Sequence, residues 1–126
     1  MKAASKPRVV YTITAMSGDP HKKGDYRQAD WGYFFKREDA ERVVERNETD
    51  ISELGYYRYA LLAAKGEGPL AIAEPLQWYE FIWQYRGLAP AKYVSHYGRD
   101  EVLSGEDCWL VQVKKIRQPK VYDHTF

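Results

Sequence analysis

Apolar and polar positions alternate along Arg8 to Met16, and that period predicts a strand. Val9, Tyr11, Ile13 and Ala15 fall on one face, and Val10, Thr12, Thr14 and Met16 on the other. The alternation then stops. Ser17 to Asp30 holds Gly18, Asp19, Pro20, Gly24 and Asp25, and reads as a long polar loop. A short apolar strand follows at Trp31 to Phe35. From about Arg37 to Glu48 the period changes to that of a helix. Ala40, Val43, Val44 and Asn47 repeat at helical spacing, continued by Ile51 and Leu54. Glu38 and Asp39 occupy the first turn, where the helix dipole favours acids, and Glu38 stands four residues before Arg42. Gly55 ends the segment.

The second half returns to strands. Tyr56 to Lys65 alternates with both faces mostly apolar, which suggests a central strand. Gly66-Glu67-Gly68-Pro69 is a turn. Leu76 to Tyr85 is the next strand, with Tyr79, Phe81, Trp83 and Tyr85 on one face and Trp78, Glu80 and Ile82 on the other. Ala91 to Tyr97 fits either a short strand or a helical turn, and Gly98 to Asp107 reads as a charged loop. Cys108 to Ile116 is the last strand. Met1 to Pro7 and Gln118 to Phe126 read as polar tails of a single domain spanning residues 1–126. The order predicts an α+β fold: a mostly antiparallel sheet of about five strands with one main helix packed on one face. The other face is then left to solvent, a ligand or a second copy, and the aromatic stripe of Tyr79, Phe81 and Trp83 is a candidate for it.

Composition narrows the function. Lys and Arg number 19 and Asp and Glu 18, a net charge of +1. No global field therefore draws the chain onto a nucleic-acid polymer or an acidic membrane. Any anion site has to be a local cluster. Cys108 is the sole cysteine, which rules out an intrachain disulfide and suits a reducing compartment. Met1 to Pro7 has no apolar run behind it, so neither a secretory leader nor a membrane anchor is expected, and the expected location is the cytoplasm. The 11 Tyr, 4 Trp and 4 Phe are the unusual feature. Such rings serve either a binding surface or the core of a small sheet.

Catalytic motifs are missing. His21, His96 and His124 are scattered without metal-ligand spacing. There is no P-loop, no nucleophile elbow and no dinucleotide fingerprint. Cys108 in an apolar strand reads as a buried thiol. Glu38, Asp39 and Glu41 share one helix surface and form no catalytic carboxylate pair. The expectation is a chain that is not an enzyme and needs neither cofactor nor metal. The basic residues form two groups: His21, Lys22, Lys23 and Arg27, then Arg99, Lys114, Lys115 and Arg117. Each is either a solvated charge or a phosphate partner. Phosphates take Arg or Lys, and bases take a flat ring. Tyr79, Phe81, Trp83, Tyr97 and Trp109 beside Arg58 and Arg99 would supply both, unless the stripe is simply the core under the helix.

A run of short motifs carries a resemblance. They are Val10-Tyr11-Thr12-Ile13-Thr14-Ala15, Trp31-Gly32-Tyr33-Phe34, and the helix with Asn47, Asp50 and Ile51. Gly55-Tyr56-Tyr57-Arg58-Tyr59-Ala60, Gly66-Glu67-Gly68 and Trp78-Tyr79 follow. Over about residues 9 to 85 this succession resembles the first Thoeris anti-defence family, small phage proteins that sequester cyclic ADP-ribose-type immune signals. The resemblance implies a homo-oligomer in the host cytoplasm, with ligand pockets where subunits meet and binding without hydrolysis. Some members also hold cyclic oligonucleotides at separate sites. By chemistry and approximate position, Arg58, Phe81, Arg99 and Arg117 are the ligand contacts it offers. Competing classes are a protein-binding inhibitor or adaptor docking a host protein through an aromatic sheet face, a stacking platform for nucleic acid, and a hydrolase of the signal. Near-neutral charge counts against the platform, and the missing catalytic groups count against the hydrolase.

Overall fold

The computed structural model describes residues 8–53, 55–68, 73–85 and 108–123. Five strands form one sheet: β1 Val9–Ser17, β2 Arg27–Phe34, β3 Tyr59–Gly66, β4 Glu74–Tyr85 and β5 Cys108–Ile116. The spatial order is β2-β1-β3-β4-β5, and every neighbouring pair is antiparallel. The helix α1, Arg37–Glu45, lies between β2 and β3 in the chain. β2 and β3 flank β1 and run parallel to each other, so their connection has to cross β1 over one face of the sheet. α1 makes that crossing and buries Ala40 and Val44. The α+β class with one covering helix is therefore as the periodicity predicts.

The core under α1 gathers Ile13 and Ala15 of β1, Ala60 and Leu62 of β3, and Tyr79, Phe81 and Trp83 of β4. Ile51 and Tyr57 join it from the α1–β3 connection. Ile13, Leu62 and Ile51, each fully buried, contribute about 1.5–3 kcal/mol apiece. The aromatic stripe of β4 is thus the helix-covered face. The alternation along β4 correctly separates Tyr79, Phe81 and Trp83 from Trp78, but the free face is the one that carries Trp78.

Several boundaries move. β2 starts at Arg27, not Trp31, because Arg27, Ala29 and Trp31 point inward while Gln28 and Asp30 point out. The expected long loop shrinks to a hairpin connection between Ser17 and Arg27. It is held by internal bonds: the Asp25 carboxylate accepts the Asp19 N–H at 2.7 Å, and the Asp19 carboxylate accepts the His21 N–H at 2.8 Å. α1 stops at Glu45, because Asn47 adopts a left-handed conformation (φ 47°) that a helix cannot continue through. Arg42 bonds Asp39 at 3.2 Å and Glu48 at 3.3 Å rather than Glu38. β3 begins at Tyr59, not Tyr56, so Tyr57 precedes the strand and packs under α1. β4 starts two residues early at Glu74 and absorbs a bulge at Leu76. β5 has the expected limits. The Ala91 to Tyr97 segment and the Gly98 to Asp107 loop lie outside the described residues.

The second face is not bare. A single 3-10 turn, Lys120–Tyr122, lays Tyr122 against Met16, Leu61, Ala63 and Trp78. The segment read as a polar tail therefore contributes a fully buried aromatic.

Candidate functional site

The backbone brings two arginines to one end of the sheet. Ser17, the last residue of β1, pairs with Arg27 of β2, and its hydroxyl accepts the Arg58 N–H. Arg58 directly precedes β3, and its carbonyl accepts the Phe81 N–H at 2.8 Å. Each guanidinium then finds a ring. Arg27 sits over Tyr56 and Arg58 over Tyr59, both 5.1 Å from the ring centroid. Arg27 with Tyr56 lies toward the helix-covered face, and Arg58 with Tyr59 toward the face that carries Trp78. Stacking of this kind holds a guanidinium flat.

Arg58 is further oriented by Glu80, whose carboxylate accepts its Nε–H at 2.9 Å. Its side chain remains 58% exposed, so the pair is worth about 0–1 kcal/mol to the fold. It serves position more than stability. The tip of the β1–β2 connection adds exposed His21, Lys22 and Lys23 at the same end. Burial pushes the Tyr26, Tyr57 and Tyr59 hydroxyls above their ordinary value; Asp30 adds to this at Tyr26 and Glu53 at Tyr57. These phenols are neutral donors across the physiological range.

Beside this cluster lies an aromatic box. Tyr122 stacks on Trp78 with centroids 5.4 Å apart and planes 9° from parallel. Tyr59 and Tyr26 meet Tyr122 edge-on at 5.8 and 6.1 Å. Tyr59 thus carries Arg58 and also forms one wall of the box. An open groove of about 470 Å³ borders Trp78, lined by Pro75, Gln77, Ile116, Arg117 and Gln118.

The residues singled out from the sequence divide accordingly. Arg58 is at the arginine–tyrosine end, exposed and aimed by Glu80. Phe81 and Trp83 are 4% and 8% exposed under α1, where a ligand cannot reach their ring faces. Arg117 is exposed but follows Ile116, which pairs with Trp78. That places it at least three positions along β4 from the Arg58 contact, roughly 10 Å at about 3.3 Å per residue. Trp109 lies in β5 opposite Gln84. Tyr97 and Arg99 lie outside the described residues. Sequence reasoning left Tyr26, Tyr56 and Tyr59 unassigned and missed Tyr122. The signal for Tyr122 was an apolar Val121-Tyr122 pair just after Pro119, too short to register as an element.

Among the described residues, no three His, Cys, Asp or Glu side chains group as metal ligands, and no helix is long and apolar enough to cross a membrane. Fold and site define a class: an α+β chain with an open antiparallel sheet, one covering helix and an arginine–tyrosine pair toward each face at one sheet end. No protein-family model, curated protein or solved structure matches the chain.

Proposed function

We propose that this protein binds and sequesters a cyclic nucleotide signal of the cyclic ADP-ribose type, without cleaving it, as a homo-oligomeric phage anti-defence protein in the host cytoplasm. The observation that carries this reading is Arg58, exposed, stacked on Tyr59 and oriented by Glu80 beside the Tyr59, Tyr26 and Tyr122 rings. A sequestering protein needs ground-state affinity, not transition-state stabilisation. Charged donors held flat beside neutral phenols suit a phosphate next to a sugar or base.

Thermal melting against cyclic ADP-ribose isomers and cyclic di- and trinucleotides tests the reading. A ligand at a hundredfold excess over its Kd adds about 2.7 kcal/mol of stability. Recovery of intact ligand after heating distinguishes sequestration from hydrolysis. Arg58→Ala should reduce the shift by at least half. A flat panel at millimolar ligand refutes the reading.

A second reading has its own observation. At the opposite end of the sheet Tyr33 and Phe35 are 65% and 77% exposed and meet edge-on at 5.8 Å. Exposed rings of this kind suit an adaptor docking a host protein. Tyr33→Ser with Phe35→Ser should abolish capture of that protein while leaving nucleotide binding intact.

A further inference from the structure

The Tyr122 ring occupies a slot shaped for a flat aromatic group. Its floor is the Trp78 indole, 5.4 Å away and 9° from coplanar, and Tyr59 and Tyr26 form the walls. That combination, one parallel face and two edge-on rings at 87° and 66°, resembles the way proteins grip a nucleobase. Charge lies close to the slot. Arg58 rests on the Tyr59 wall, and Arg117 lines the groove that borders Trp78.

The occupant is held by its own short segment. The Tyr122 N–H bonds the Pro119 carbonyl at 2.9 Å, the Asp123 N–H bonds the Lys120 carbonyl at 3.1 Å, and Gln118 Nε2 donates to the Tyr122 carbonyl at 2.5 Å. These bonds close within residues 118–123, so they persist if the segment lifts away as a unit. The buried hydroxyl offers no compensation. Tyr122 is fully buried, yet its hydroxyl has no hydrogen-bond partner among the described residues. A side chain placed only to cap the sheet would be better as Phe. A ring that leaves its seat regains a hydrated hydroxyl each time.

We propose that the Trp78–Tyr59–Tyr26 slot is a binding site for the purine ring of a phosphorylated nucleotide, and that Tyr122 is an internal plug the ligand displaces. Arg58 at the rim would take the phosphate. The ligand class rests on the sequestration reading; the slot and its plug rest on geometry alone. A plugged site binds with an affinity reduced by the fraction of time it stands open. If the plug is lifted a few per cent of the time, removing it tightens binding by about tenfold or more.

The test uses AMP as probe and ribose 5-phosphate, which lacks the ring, as control, measured by calorimetry on the full chain. Tyr122→Ala should bind AMP about tenfold more tightly than wild type, with no such gain for ribose 5-phosphate. Tyr122→Ala with Arg58→Ala should lose most of the gain. No gain for AMP, or an equal gain for both compounds, overturns the proposal. Should Tyr122→Ala fail to fold, nitration of the fully buried Tyr122 ring in the wild type, mapped by mass spectrometry, decides. AMP at millimolar concentration should speed modification of Tyr122, and an unchanged or slowed rate overturns the plug. The cyclic-nucleotide melting panel is independent. A shift there without a gain here removes the slot and leaves sequestration standing; the reverse pattern removes sequestration and leaves the slot.

Discussion

Replacing Tyr122 by Phe should make the protein more stable, an unusual outcome for a fully buried residue. The substitution keeps the ring on Trp78 and its edge contacts with Tyr26 and Tyr59. It removes a hydroxyl that is buried without a partner among the described residues. An unsatisfied buried hydroxyl costs about 1–3 kcal/mol. The lost oxygen forfeits a few dispersion contacts of about 0.1–0.2 kcal/mol each, which takes back a fraction of the gain. A net stabilisation of about 1–2 kcal/mol follows. The assay is urea unfolding at pH 7 followed by tryptophan fluorescence. With a urea slope of about 1–3 kcal/mol/M, the midpoint should rise by roughly 0.5 M at unchanged slope. The same variant should bind AMP more weakly, because its plug sits more firmly. A midpoint that falls would show that the hydroxyl is bonded in solution, and the reasoning from an orphaned donor would fail with it.

The other predictions concern the turn at the site and the buried phenols. Gly18→Ala should destabilise by about 2 kcal/mol or more in the same urea assay: Gly18 has φ 85°, and an added Cβ would lie 2.1 Å from the Asp25 carbonyl oxygen, so the backbone of the hairpin connection has to move. Gly24→Ala, at φ 80° with open space around it, should cost only about 1 kcal/mol; equal losses at the two positions would refute the steric argument. Burial raises the Tyr79 and Tyr122 hydroxyls far above their ordinary value, with Glu45 and Glu41 adding to it at Tyr79 and Tyr26 and Tyr59 at Tyr122. Folded-state values above unfolded ones mean that this stability is complete below pH about 10 and is lost as pH rises beyond it, by at most about 1.4 kcal/mol per pH unit for each group. Urea midpoints between pH 9 and 11 should fall in wild type and fall less in Tyr79→Phe; a flat wild-type profile would refute it.

Alternation was enough to sort β1 and β4 into faces, and Cys108 to Ile116 was bounded correctly because the charged Gly98 to Asp107 segment precedes its apolar start, Cys108 to Val111, and Arg117-Gln118-Pro119 follows its end. Alternation could not say which face α1 covers. β4 puts Tyr79, Phe81 and Trp83 on one side and Trp78 and Ile82 on the other, so both sides are apolar enough to be core. The choice is made by Ala40, Val44 and Ile51, whose contacts exist only once the β2-to-β3 crossing is folded. Arg27 was misplaced for a related reason. Gly18, Pro20 and Gly24 make the segment look like loop, while Ala29 is too small to announce an inward strand position. The consequence reaches function. With Phe81 and Trp83 spent on the core, ring stacking has to come from the opposite face. There the large aromatics in contact are Trp78, Tyr59, Tyr26 and Tyr122. Three of the four belong to the sheet or its hairpin, and the fourth hangs on a six-residue segment, 118–123, that folds through bonds of its own. Ring binding and plug release are then one event, since no ring can stack on that face of Trp78 while Tyr122 remains. The sequestration reading acquires a structural requirement: a nucleotide that binds through its base should loosen the segment around Tyr122, whereas one that binds through phosphate alone should leave it in place.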